Sequence, residues 1–342
     1  MREMRATVLG AGVAGLACAV ELAERGARVE VLERATQLGE GGCSWYAGGM
    51  LAPWCELENA EALVAQLGHE SLEWWRARFA GTLTRGSLVV AHAREAAELA
   101  RFASRTERAA WVDGEGLARL EPDLAGRFQR ALYFAEEAHL DPRAALTALA
   151  EHLQGLGGRL RFGVAPAALP ATTADHVVLD CTGLAARGRL AELRGVKGEM
   201  LILRQPELTL SRPIRVLHPR IPLYVVPRGD GVFMVGATML ESDAPTRISA
   251  RSMLELLSAA YALHPAFGEA EIIEIGTGVR PAFPDNLPRL IERDGRLYVN
   301  GLYRHGFLLA PALARRAARF VLEGQRFAEV MDDANPRERR LA

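Results

Sequence analysis

Arg280 lies between Gly278 and Pro281 in an otherwise apolar stretch, Gly276-Thr277-Gly278-Val279-Arg280-Pro281. Forty of the 41 basic residues are arginine, so the default reading of any one of them is a solvated surface group. This setting suits a positioned guanidinium instead, and a guanidinium fork is the natural clamp for a carboxylate. A second chemical signal is Gly10-Ala11-Gly12-Val13-Ala14-Gly15, with Glu33 following 18 residues after Gly15. Gly10 permits a tight turn, Gly12 lets backbone approach a pyrophosphate, and Gly15 lets helix and strand pack closely. The pyrophosphate of a bound dinucleotide would rest on the helix N-terminus, where exposed N–H groups and the dipole favour an anion. Glu33 would accept hydrogen bonds from the adenosine ribose hydroxyls.

Two further stretches fit this chemistry. Residues 39–50 are too glycine-rich for a helix interior and too long for a simple turn. The alternative to a flexible linker is a loop whose backbone N–H groups and Ser44 hydroxyl lie along the cofactor towards its redox ring. The turn at Arg304, His305, Gly306, Phe307 and Leu308 opens the last helix, whose N-terminal amides would stabilise negative charge on a reduced ring.

The elements that must position these groups are readable in outline. Apolar residues 6–9, a helical stretch over 16–25 and a strand over 28–32 make a βαβ unit around the glycines. Helices are expected over 60–79, 93–105, 117–122 and 249–263, and strands over 86–91, 131–136, 159–164 and 174–180. Asp141 is a good N-cap, with Pro142 at the first position of a helix reaching 156. Residues 200–204, 214–217, 223–226 and 232–236 read as an antiparallel series with a clear turn at Arg228-Gly229-Asp230-Gly231. The end of the chain reads as a Gly/Pro-rich loop, a strand over 296–300 and a long helix to about 323. The fold expected is α/β: a Rossmann-like dinucleotide domain from residues 1–82, 138–194 and 276–330, with an inserted, mostly antiparallel α+β substrate domain from 83–137 and 195–275. Residues 331–342 form a C-terminal tail.

Composition removes several functions. A net charge of −1 with interspersed signs gives no electrostatic footprint for nucleic acid. The four cysteines, Cys18, Cys43, Cys55 and Cys181, show no metal-ligand spacing, so neither a bound metal nor a disulfide framework is expected. Cys18 and Cys181 read as small buried hydrophobes. The N-terminal stretch superficially resembles an export signal, but three glycines and the closely following Glu21 and Glu24 oppose that reading. No stretch approaches the roughly 20 apolar residues of a membrane span, and a cytoplasmic protein is expected. Trp74 and Trp75 read as core or interface packing, and Lys197, the one lysine, as half of a structural ion pair rather than an attractor of superoxide-like charge.

The fingerprint with Glu33, the segments Ala47-Gly48-Gly49-Met50-Leu51-Ala52-Pro53, Val196-Lys197-Gly198-Glu199, Tyr224-Val225-Val226-Pro227, Val235-Gly236-Ala237-Thr238-Met239 and Gly278-Val279-Arg280-Pro281, and the run Tyr303-Arg304-His305-Gly306-Phe307-Leu308-Leu309-Ala310-Pro311 occur in that order. Together they resemble the flavin-dependent D-amino-acid oxidase superfamily over nearly the whole chain, and within it the glycine oxidases of thiamine biosynthesis. The resemblance implies a glutathione-reductase-type domain binding FAD non-covalently in an extended form. The positions it implies for FAD are Val13, Ala14, Glu33, Arg34, Cys43, Ser44, Gly48, Gly49, Met50, Val164 and the turn Leu302, Tyr303, Arg304, His305, Gly306, Phe307, Leu308. Arg280 would clamp the substrate carboxylate, Tyr224 would donate to it, Arg304 would sit near flavin and substrate, and Met239 and Met50 would wall a glycine-sized pocket.

The implied reaction is oxidative deamination of glycine to iminoglycine and glyoxylate, with O2 reduced to H2O2 and the imine supplied to thiazole synthesis. Nothing between the motifs is an obvious general base, though His305 is a candidate. Family members often carry asparagine at the position of His305 and histidine at that of Pro222, and the stretch after Val164 is short here. Other small amines (sarcosine, D-alanine, D-proline), electron transfer to a quinone and a non-catalytic flavin scaffold stay open. The joint presence of Arg280, Tyr224 and Arg304 argues against the scaffold. The family habit implies a homo-oligomer, with Trp74 and Trp75 candidates for its interface.

Overall fold

A computed structural model describes residues 4–164, 172–218 and 223–331. Pro222, most of the short stretch after Val164 and nearly all of the expected tail lie outside the described residues.

The chain begins with β1 (Arg5–Leu9), α1 (Val13–Glu24) and β2 (Arg28–Leu32), the expected βαβ unit. Strand β3 (Met50–Leu51), the one-turn α2 (Pro53–Glu56) and α3 (Ala62–Arg78) follow. Next come β4 (Ser87–Ala91), α4 (Ala96–Arg105), β5 (Ala110–Asp113), α5 (Gly114–Leu120), β6 (Arg130–Phe134) and β7 (Ala138–His139). Helix α6 (Pro142–Gly155) starts where the Asp141-Pro142 pair requires, with the Asp141 carboxylate accepting from the Arg143 and Ala144 N–H groups. Then come β8 (Arg159–Arg161), β9 (His176–Asp180), β10 (Arg194–Arg204), β11 (Ile214–Leu217), β12 (Leu223–Gly229) and β13 (Val232–Gly236). Helix α7 (Ala250–Leu263), capped by Ser249, leads to β14 (Glu271–Ala282), β15 (Arg289–Arg293), β16 (Arg296–Asn300) and α8 (Gly306–Glu323).

Two large sheets result. The first has the order β15-β16-β9-β1-β2-β8, parallel except at the β15–β16 hairpin. Its strands β1 and β9 are apolar and buried because α1, α6 and α8 cover the sheet. The second has the order β14-β10-β13-β12-β11-β4-β6-β5, antiparallel except where β11 runs alongside β4. A small β3–β7 pair joins residues 50–51 to 138–139.

Three expectations are corrected. The Gly/Pro-rich loop expected before the strand at 296 is shorter than its composition suggests: residues up to Ala282 lie in β14, hydrogen-bonded to β10, and only 283–288 join β14 to β15 as a loop. The glycines of β14 serve clearance, since a Cβ at Gly276 would strike Tyr46 and one at Gly278 would stand 3.1 Å from Cys43 Cα. Strand β15 was hidden because its polar ends, Arg289 and Arg293, mask only two buried residues. Trp74 and Trp75 are not at a subunit surface; both are buried in the core, their indole N–H groups donating to Glu21 Oε1 and to the Phe307 carbonyl. Among the described residues no helix is long and apolar enough to cross a membrane.

Candidate active site

The turn between β1 and α1 is shaped by its glycines. Gly10 has φ +92°, and a Cβ there would stand 2.9 Å from the Cys181 carbonyl oxygen, while a Cβ on Gly15 would overlap the Gly10 carbonyl. The first turn of α1 contains no acidic side chain, and Gly12 caps it with no side-chain bond of its own. Its Val13 N–H donates to Ser44 Oγ at 3.2 Å, which lays the glycine-rich loop against the helix N-terminus. Glu33 follows β2 and accepts from the Ala11 N–H at 2.8 Å and the Ala35 N–H at 3.0 Å. A carboxylate has about four lone-pair sites, so capacity remains for two hydroxyls. The Val164 N–H donates to the Glu33 carbonyl, placing Val164 beside it, and Arg34 is exposed.

The glycine-rich loop contains a single 3-10 turn, Cys43–Tyr46, and ends at β3. Gly48 packs under the Tyr224 ring, where a Cβ would approach within 2.8 Å, and Gly49 takes φ +72° against the Leu140 carbonyl. Arg228 on β12 straps this loop down by donating to the carbonyls of Leu140 (3.0 Å), Ala47 (3.2 Å) and Gly48 (3.0 Å). Burial pulls its pKa down to about 10.

At the other end, Arg280 extends from β14 across β10. A Cβ at Gly198 would stand 2.5 Å from Arg280 Nη1 and closer still to Cζ, so the missing side chain is what admits the guanidinium. Nη1 donates to the Thr238 carbonyl at 3.2 Å. The turn after β16 is tied to the same strand, because the Tyr303 N–H donates to the Pro281 carbonyl while Tyr303 takes a left-handed φ of +51°. This brings Arg304, His305 and the N-terminus of α8 to the Arg280 side. Arg304 Nη1 and the Tyr303 hydroxyl both reach Met239 Sδ, at 3.6 and 3.7 Å.

Sequence reasoning missed Glu56 and Arg215. Glu56 is buried at the end of α2, 2.6 Å from Arg215 Nη2, 2.7 Å from Arg304 Nη2 and 3.5 Å from His305 Nδ1. Although burial opposes its charge, Arg304 and Arg215 hold its carboxyl well below the usual range. His305 is drawn down to about 4, first by burial and then by the surrounding arginines, with Glu56 opposing, so it is a neutral imidazole at pH 7. Glu56 and Arg215 meet from positions 159 residues apart on a short helix and a short strand, and no local pattern marks either. Arg228 was likewise read only as part of a turn. Lys197, as expected, is half of an ion pair: buried, it donates to Glu199 (2.7 Å), Thr246 Oγ1 (3.0 Å) and the Arg247 carbonyl (2.9 Å).

Two adjoining open cavities run through this region and share Tyr224, Arg280, Arg304, Gly306 and Phe307. The smaller starts at Val13, Cys43 and Ser44, on the N-terminus of α1; the larger extends to Met50, Met239, Glu56, Arg215 and His305. Ala14, Glu33, Arg34, Val164 and Leu302 line neither; the Glu33–Val164 group stands at the β2 end of the fingerprint. A helix N-terminus, a carboxylate beside it and a cavity leading away to a guanidinium are the parts a dinucleotide oxidoreductase requires. The chain belongs to the FAD dependent oxidoreductase family, DAO, whose model matches residues 5–320.

Its relatives agree. A Rhizobium etli protein provisionally named thiamine biosynthesis oxidoreductase ThiO is 56% identical over 324 residues, 94% of this chain and 98% of that protein. A Synechocystis protein named bifunctional ThiO/ThiG is 28% identical across 92% of this chain, which spans 51% of that longer protein. The crystal structure of glycine oxidase from Geobacillus kaustophilus superposes with a TM-score of 0.76 at 25% identity, covering 96% of this chain and 97% of that one. The residues present suit FAD: a helix N-terminus with no acid in its first turn, glycines where Cβ atoms would clash, and Glu33 with spare acceptor capacity.

Proposed function

We propose that this chain oxidises glycine to iminoglycine, which water converts to glyoxylate and ammonia, with O2 taken to H2O2. The observation that carries this reading is the convergence of Arg280, Tyr224 and Arg304 on a cavity that continues to the N-terminus of α1. The 56% identity to a protein named for thiamine biosynthesis supports the same pathway here, and a thiazole synthase as the recipient of the imine. The fused ThiO/ThiG relative supports that hand-off.

In this reading Gly10, Gly12, Gly15, Val13, Ala14, Glu33, Arg34 and Val164 hold the adenosine and pyrophosphate. Cys43, Ser44, Gly48, Gly49, Met50 and the turn Leu302–Leu308 hold the remainder. The two sheets divide the labour accordingly, the parallel one serving FAD and the antiparallel one the substrate. When bound, FAD supplies the hydride acceptor for the substrate Cα and passes the electrons to O2.

The protein's residues supply position and field. Arg280 takes the carboxylate with its planar fork, and Tyr224, packed on Gly48, donates a second bond. Holding the substrate by its carboxylate fixes its Cα, which is worth more than any proton transfer when the chemistry is hydride departure. The amine must lose its proton first. Arg280, Arg304 and Arg215 outnumber Glu56, and their surplus positive charge favours the neutral amine. His305 lines the same cavity, but burial and the arginines hold it near pKa 4, so it is too weak a base to take that proton and contributes as a neutral hydrogen-bonding group. The amide groups at the start of α8 face developing negative charge. Met50 and Met239 supply apolar lining to the larger cavity, Met239 from an exposed position.

The active form proposed is a cytoplasmic homo-oligomer. The test is oxygen uptake by the yellow protein with glycine, sarcosine, D-alanine and D-proline in parallel. Glycine should give fastest uptake, with peroxide formed in step. Anaerobic bleaching without oxygen uptake would make the protein a dehydrogenase, and no bleaching with any amine would overturn the substrate assignment.

A further inference from the structure

Among the described residues lining either cavity Glu56 is the one carboxylate, and it is shared across the junction of the two sheets. One oxygen accepts from Arg215 Nη2 of β11 at 2.6 Å, and the other meets Arg304 Nη2 of the α8 turn at 2.7 Å and His305 Nδ1 at 3.5 Å. Arg280 lines the same cavity from β14, so three guanidiniums face one carboxylate there. Behind Arg215 lie Glu137 and Cys55, both fully buried, with Glu137 Oε1 accepting from the Cys55 N–H at 2.8 Å. A charge so enclosed acts at close range on anything bound in the cavity, because few water dipoles screen it.

We infer that Glu56 is a positioning residue: by dividing its carboxylate between Arg215 and Arg304 it fixes the orientation of Arg304 and sets how much positive charge faces a bound carboxylate and the flavin. It does not itself touch the substrate carboxylate, which it would repel. Its function is to restrain Arg304, leaving Arg280 as the primary clamp. The arrangement rests on the reading of this cavity as the carboxylate and flavin site. It does not depend on glycine being the substrate.

The test uses FAD-loaded protein and acetate, a carboxylate with no amine, followed by the change in flavin absorbance, with the flavin midpoint potential measured alongside. Glu56→Gln should bind acetate roughly tenfold more tightly and raise the midpoint potential, since one buried negative charge is gone and Arg304 is released towards the cavity. Arg215→Met should move both readouts the opposite way, weakening acetate and lowering the potential. A merely structural role would weaken acetate in both variants. Unchanged or weaker acetate binding in Glu56→Gln that still holds FAD overturns the inference. Should Glu56→Gln fail to hold FAD, Arg215→Met decides on the potential, which the loss of a buried positive charge lowers and a merely structural role leaves in place: a midpoint potential equal to that of wild type overturns the inference. Wild-type protein that glycine cannot reduce would sink the glycine reading alone, leaving these two readouts to judge Glu56.

Discussion

The guanidinium of Arg280 lies over Gly198, in the space a β-carbon would fill. The two residues are diagonal neighbours on adjacent strands, where Gly198 pairs with Gly278 and Val196 with Arg280. An alanine at 198 has room only if Arg280 moves, and the guanidinium end of an arginine moves readily. Gly198→Ala should therefore leave FAD bound and the fold intact while displacing the clamp. Displacement by about 1 Å costs up to about a hundredfold in kcat/KM. Steady-state kinetics with glycine and the visible flavin spectrum together check this; a variant with wild-type kcat/KM would show that Arg280 holds nothing.

Removing the clamp itself is the stronger experiment. Arg280→Ala should lose on the order of 2–5 kcal/mol in kcat/KM, as when one partner of a buried charge pair is truncated. Arg280→Lys should recover only part, because a point charge replaces a planar fork. Equal activity in the lysine and wild-type enzymes would mean that charge alone suffices.

The fingerprint glycine has a different failure. A Cβ at Gly15 would overlap the Gly10 carbonyl, which is backbone and cannot swing away. Gly15→Ala should force α1 off β1, lose FAD and yield a colourless protein of lower melting temperature. Retention of full yellow colour at stoichiometric FAD would place the cofactor elsewhere.

These cases also show what could be read before folding. The fingerprint was legible because its parts are local: a tight turn, a helix start and an acid within 24 residues, from Gly10 to Glu33. Asp141 and Pro142 announced α6 for the same reason. Arg280 was recognisable by its chemistry, yet its setting was misread, since glycines at 276 and 278 look like a loop when the side chains they make room for, Tyr46 and Cys43, are more than two hundred residues away. Glu56 and Arg215 were invisible. Each is an ordinary charged residue in sequence, and only the crossing of β11 past α2 makes them a buried pair. Trp74 and Trp75 looked equally suited to a core or an interface, and burial chose the core.

The buried groups behind the cavity predict how stability responds to pH. Glu137 is fully buried, and burial pushes its carboxyl up to about 7 against an ordinary value of 4.5. An acid whose folded pKa is raised stabilises the fold while protonated, and that stability is lost as pH rises from about 4.5 to about 7, where the unfolded chain ionises first. His139, also buried, has the opposite sign: burial lowers it to about 4, so the unfolded chain binds its proton first and stability falls as pH drops from about 6.5 to about 4. Glu137→Gln keeps an oxygen for the Cys55 N–H but cannot ionise. Its stability relative to wild type should therefore rise by about 3 kcal/mol between pH 4.5 and pH 7 and then level off. His139→Gln should change in the other sense, gaining on wild type as the solution is made acid. Urea denaturation of the FAD-loaded proteins at a series of pH values measures both. A pH-independent difference between wild type and Glu137→Gln would show that Glu137 is ionised in the folded protein throughout, and that Arg215 outweighs its burial.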